Sequence, residues 1–120
     1  MRVFKSRPFH RWATKEGLSD ESLRAAVEEM EQGLAGADLG GHLLKKRVAL
    51  QAGKSGGGRA PVAYETGRRA FFIYGFSKNA RSNISGRELK ALKRYAAELL
   101  AYDNQTLRRA LEAGALVEVR

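Results

Sequence analysis

The sequence predicts an α+β fold, a small and mainly antiparallel β-sheet packed by helices, in one domain spanning residues 1–120. Three observations point there. Residues 19–34 and 85–100 carry apolar side chains at helical spacing behind recognisable N-caps. Residues 44–50 and 61–64 read as two extended arms joined by a long glycine-rich loop. The run Ala70–Tyr74 is dense in aromatic and β-branched residues. No internal repeat and no dividing linker is visible.

Taken in order, Met1 to Lys5 alternates apolar and charged residues, as a short first strand does, and Pro8 suits the first turn of a helix running toward Glu16, which Gly17 ends. Ser19 caps the next helix. Asp20 and Glu21 complement its dipole, and Leu18 with Leu23 forms a hydrophobic staple. Its apolar stripe is Leu23, Ala26, Val27, Met30 and Leu34, with Gly33 near the stop. Gly36 to Gly41 reads as turn. The two arms flank AGKSGGGR at 52–59, Gly67 and Arg68 turn the chain, and Ala70–Tyr74 is expected as a central strand of the antiparallel sheet. Ser85 and Glu88 make a capping box ahead of Leu89, Leu92, Tyr95, Ala96, Leu99 and Leu100. Asp103 and Asn104 interrupt, a shorter helix runs from about Gln105 to Glu112 before Gly114, and Leu116–Val119 is expected as a last strand.

Lys and Arg number 22 against 13 Asp and Glu, a net charge of +9. The excess is concentrated: residues 45–94 hold 13 basic side chains and only Glu65 and Glu88, a balance of +11, while the remainder is slightly acidic. A polyanion is the partner class this favours, with a solvated basic surface as the bland alternative. Cysteine is absent, which excludes disulfide scaffolds, thiolate catalysis and Cys-based zinc sites and suits a reducing cytoplasm. The longest apolar run, Ala70 to Phe76, includes Gly75, so neither a secretory signal nor a membrane span is expected.

Gly53-Lys54-Ser55 invites a phosphate-loop reading that fails, because Val48 stands where the motif needs its first glycine and Pro61 begins a β-like stretch where it needs a helix. The glycines still let backbone amides approach an anion, with Lys54 and Arg59 bracketing them; a mobile hairpin tip is the competing reading. His10 and His42 lie in separate segments without a carboxylate at a useful offset, so no metal site and no histidine acid–base pair is expected. Catalysis would then run on Lys, Arg, Tyr, Ser or Asn. Cleavage of RNA by its own 2′-OH fits that set, since the substrate supplies the nucleophile and the protein holds the backbone, offsets charge and assists proton transfer without a cofactor. A lysine can do the last only if crowding lowers its pKa, as among Lys45, Lys46, Lys54 and Lys78. Tyr74 and Phe76 could stack bases; Phe71 and Ile73, on the opposite face of the strand, suit the core.

GKSGGGR at 53–59, FFIYGFSKNARSNIS at 71–85 and ELKALKRYAAELL at 88–100, in this order, resemble the RelE/HigB superfamily of bacterial type II toxin–antitoxin toxins. The resemblance extends over RVFKSRPFHRWATKEGLSDESL and DLGGHLLKKRVA, nearly the whole chain. It implies a sheet packed by helices whose basic concave face cleaves messenger RNA in the ribosomal decoding site. It also implies a cognate antitoxin with a helix-turn-helix part, through which alone the toxin reaches operator DNA.

On the matching positions, Arg59 and Arg81 are expected to stabilise the scissile phosphate, and Lys54 and Lys78 to stabilise charge or move protons. Lys45, Lys46, Arg47 and Asn79 join them as RNA contacts by charge or proximity, with Tyr74 or Phe76 stacking a base. Two departures stand out: Gly58 occupies a position where a bulky residue is expected before the Arg, and the chain ends LVEVR without the Tyr or His that many relatives carry. The rival expectation is a ParE-like inhibitor of DNA gyrase without nuclease activity, and a plain nucleic-acid-binding regulator is the third.

Overall fold

In the computed structural model, which describes residues 1–50 and 57–120, the N-terminal strand β1 (Arg2–Ser6) lies inside the sheet. It runs parallel to β5 (Arg69–Phe72), with Phe4 opposite Phe71, and antiparallel to β7 (Leu116–Val119), with Phe4 opposite Glu118. The other strands are β2 (Ala37–Gly40), β3 (Leu43–Val48), β4 (Gly58–Glu65) and β6 (Phe76–Ser77). Their order is β2-β3-β4-β5-β1-β7, with β6 also pairing to β4, and every described pairing except β1 with β5 is antiparallel. The fold is thus α+β with a mostly antiparallel sheet. The strand expected at Ala70–Tyr74 is central, but one of its neighbours is parallel, an arrangement that depends on a crossover rather than on any local signal.

Helices cover both faces. Helix α1 (Arg7–Lys15) begins where the Ser6 hydroxyl accepts the Phe9 N–H at 3.1 Å, and α2 (Asp20–Glu31) where Ser19 accepts from Ser22. Phe9, Ala13, Leu23, Val27 and Met30 of these helices pack on Val3, Ala60, Val62 and Phe72. On the opposite face α3 (Gly86–Leu100) and α4 (Asn104–Glu112) bring Ala96, Leu99 and Leu107 against Phe4, Leu43, Ala63, Phe71 and Ile73. Phe71 and Phe72 are therefore both fully buried, in different cores. Leu34, expected on the α2 stripe, is 61% exposed, because the helix ends at Glu31 and Gly33 at φ +92° turns the chain away.

Two strands lie in stretches that read as turn or as strand end. Ala37–Gly40 has poor β-propensity and pairs at the sheet edge because β3 offers it a partner. Beyond β5 the Ile73 N–H still donates to Pro61 O at 3.2 Å, Tyr74 and Gly75 break the ladder, and Phe76–Ser77 rejoin β4 opposite Arg59 and Gly58. The Trp12 indole of α1 is seated at this break. A β-carbon on Gly75 would overlap the ring, and one on Gly58 would lie 3.1 Å from it and 3.0 Å from Leu50.

Candidate nucleic-acid cleft

Strands β3 and β4 pair so that Lys45 faces Pro61, Lys46 faces Ala60 and Arg47 faces Arg59. Residues directly opposite share a face of the sheet, and alternate residues share it along a strand. Leu43 and Ala63, of the same alternation as Lys45, Arg47 and Arg59, belong to the α3 core, so the three cations continue that face along the hairpin. Lys78, just after β6, joins them because its N–H donates to Gly57 O at 3.0 Å. Lys45, Arg47, Arg59 and Lys78 line one cleft of about 370 Å³, bordered by Gly36 and Ala37, with no carboxylate among its described lining residues. Clustered positive charge along a concave wall attracts anions.

The alternation turns Lys46 the other way. It contributes to the cleft wall, but its side chain is buried and its Nζ pairs with Glu29 Oε1 of α2 at 2.7 Å on the far face. Lys54 lies outside the described residues.

Arg81 is not among the lining residues of the cleft. Its guanidinium takes both carboxylate oxygens of Glu88, Nη1 to Oε2 at 2.8 Å and Nη2 to Oε1, while Nη1 also donates to Tyr74 Oη at 3.0 Å and Nε to Asn83 O at 3.1 Å. The hydrogen bonds between them hold the Glu88 carboxyl down at about 2 and push Arg81 further up. Donation from the Ser85 N–H to Glu88 Oε1 at 2.9 Å adds to the Glu88 shift. The Arg81 guanidinium also sits 5.5 Å over the Phe76 ring, which is 4% exposed. A base therefore finds no free face on Phe76, and a phosphate finds Arg81 already engaged by a carboxylate. Tyr74, half-buried, borders a separate apolar hollow of about 130 Å³ with Ala91 and Leu92.

The family model for the RelE toxin of the RelE/RelB toxin–antitoxin system matches residues 1–119. The chain belongs to the RelE toxin family. No curated protein gives a significant match. Membership makes it the toxin of a toxin–antitoxin pair, with an antitoxin as its partner. No helix among the described residues is long and apolar enough to cross a membrane.

Of the expected site residues, the fold of this RelE toxin brings Lys45, Arg47, Arg59 and Lys78 together and leaves Lys46, Arg81, Phe76 and Asn79 out of the shared space or engaged elsewhere. Asn79 is exposed in the turn after β6, its N–H donating to Ser77 Oγ at 3.3 Å. Gly58, the departure noted in the glycine-rich motif, faces the α1 side, where Trp12 and Leu50 fill the space a larger residue would need. Among the described residues no cluster of three or more His, Asp or Glu is arranged for a metal ion.

Sequence reasoning missed Asn83, whose Oδ1 accepts from Lys45 Nζ at 3.1 Å and from the Ile84 N–H at 2.9 Å. It read Glu88 only as a helix cap. A signal was present: one of only two acidic residues in the basic stretch, seven positions after Arg81, is an ion-pair partner by default.

Proposed function

We propose that this RelE toxin is a ribosome-dependent endoribonuclease that cleaves messenger RNA and arrests translation in the bacterial cytoplasm. The supporting observation is the convergence of Lys45, Arg47, Arg59 and Lys78 on one cleft free of carboxylates among its described lining residues. An RNA backbone laid there meets several cations along one wall. In the reaction, the 2′-oxygen attacks the adjacent phosphorus and the bond from phosphorus to the 5′-oxygen breaks. The 2′-proton passes to a base, the departing 5′-oxygen takes up a proton, and a 2′,3′-cyclic phosphate remains. Arg59 and Arg47 offset the extra negative charge of the phosphorane, and Lys78 and Lys54 are the candidates for charge stabilisation or proton transfer; no metal or cofactor is needed. Tyr74 is the remaining candidate for base stacking. The antitoxin is expected to carry a helix-turn-helix part, so that operator DNA is reached only in the complex.

The test is primer extension on messages bound to programmed ribosomes. Wild-type protein should produce discrete 5′ ends, and Arg59→Ala should lower the rate about 100-fold. Growth arrest with intact messages and DNA-damage signalling would overturn this reading in favour of a gyrase inhibitor.

A further inference from the structure

We infer that Arg81 is a positioning residue: with Glu88 it latches the segment after β6 onto the N-terminus of α3, and so sets where the ammonium groups of Lys78 and Lys45 sit in the cleft. For its activity arm this rests on the nuclease reading; its structural and binding arms do not.

Both cleft ammonium groups end on acceptors within two residues of Arg81. Lys78 Nζ donates to Ser82 O at 3.3 Å, and Lys45 Nζ donates to Asn83 Oδ1 at 3.1 Å. Arg81 organises that pair of acceptors. Its Nε holds Asn83 O, and its own N–H and that of Ala80 close a turn on Ser77 O at 3.2 and 3.0 Å. The far side of the guanidinium is fixed by Glu88, and Glu88 is fixed in turn by the start of α3. Its Oε1 accepts the Ser85 N–H at 2.9 Å while Ser85 Oγ accepts the Glu88 N–H at 3.2 Å. One carboxylate therefore joins a helix cap, a loop and the Tyr74 hydroxyl, which lies 3.4 Å from Oε2.

A guanidinium has five N–H donors in a rigid fork. Four of those of Arg81 are directed at Asn83 O, Tyr74 Oη and both oxygens of Glu88. To grip a phosphate it would have to give up a two-point, charge-assisted contact of the same geometry. Its reach into the cleft is thus indirect, through Ser82 and Asn83.

The experiment compares Arg81→Gln, Glu88→Gln and the double variant with wild type. Glu88→Gln keeps an oxygen for the Ser85 N–H and so preserves the helix cap. Three quantities are read: the Asn83 carboxamide signal by NMR, the salt dependence of binding to a 2′-O-methylated single-stranded RNA, and kcat and KM on ribosome-bound message. The latch predicts that the Asn83 signal shifts in both single variants and that the salt slope stays at the wild-type value. It further predicts that kcat falls about 10- to 100-fold, by a similar factor in the single and double variants, with KM little changed. An unmoved Asn83 signal overturns the latch whatever the cleavage assay gives. A slope reduced by about 0.7 in Arg81→Gln alone would make Arg81 a phosphate ligand instead. If wild-type protein leaves the message intact, the nuclease reading fails, and the Asn83 signal and the salt slope still decide the latch.

Discussion

Lys46 and Arg47 are neighbours with opposite surroundings, and a one-residue step along a strand is the whole reason. Arg47 is exposed at the cleft, whereas Lys46 threads its stem through the α1–α2 side to reach a half-exposed Glu29. The two ends of that ion pair are not equivalent. Glu29→Ala leaves an ammonium in an 8% exposed position without its partner and should cost about 1–3 kcal/mol in denaturant unfolding. Lys46→Met removes the charge along with the need for a partner and should cost under about 1 kcal/mol, with RNA affinity little changed. Residue types announced the basic site, but not which cations share it. The contiguous signature Lys45-Lys46-Arg47 looks uniform until the pairing of Arg47 with Arg59 assigns the faces.

Secondary structure was legible where its cause is local. Ser19 and Ser85 cap helices as expected, the second with the full reciprocal box, because a hydroxyl and a carboxylate three residues apart complete that geometry without tertiary help. Strand β2 was not legible, since Ala-Asp-Leu-Gly becomes a strand only through its neighbour. The break between β5 and β6 lies between these cases: Gly75 marks it in the sequence, but the reason is a ring contributed by α1. Gly75→Ala should destabilise by about 1–3 kcal/mol, since the added methyl meets the Trp12 indole. In a Trp12→Ala background the same substitution should cost distinctly less, and thermal unfolding of the four proteins closes the cycle.

For the molecule as a whole, helices on both faces leave the far part of the β3–β4 hairpin, beyond the α3 core, to present its charge to solvent. The +11 balance of residues 45–94 was visible from the sequence; that a share of it converges was not, because Lys45 and Lys78 come to line one cleft through the pairing of β3 with β4 and of β4 with β6. If the four cleft cations each neutralise a phosphate, log affinity for single-stranded RNA should fall with log salt at a slope of about −3, and Arg47→Ala should reduce its magnitude by about 0.7. A fluorescence-anisotropy salt series measures both. The sheet order has a temporal consequence as well. Residues 2–6 are made before both of their neighbours, residues 69–72 and 116–119. During synthesis β1 has no partner until β5 emerges and keeps one bare edge until β7 does, so a prematurely terminated product carries an unfinished sheet.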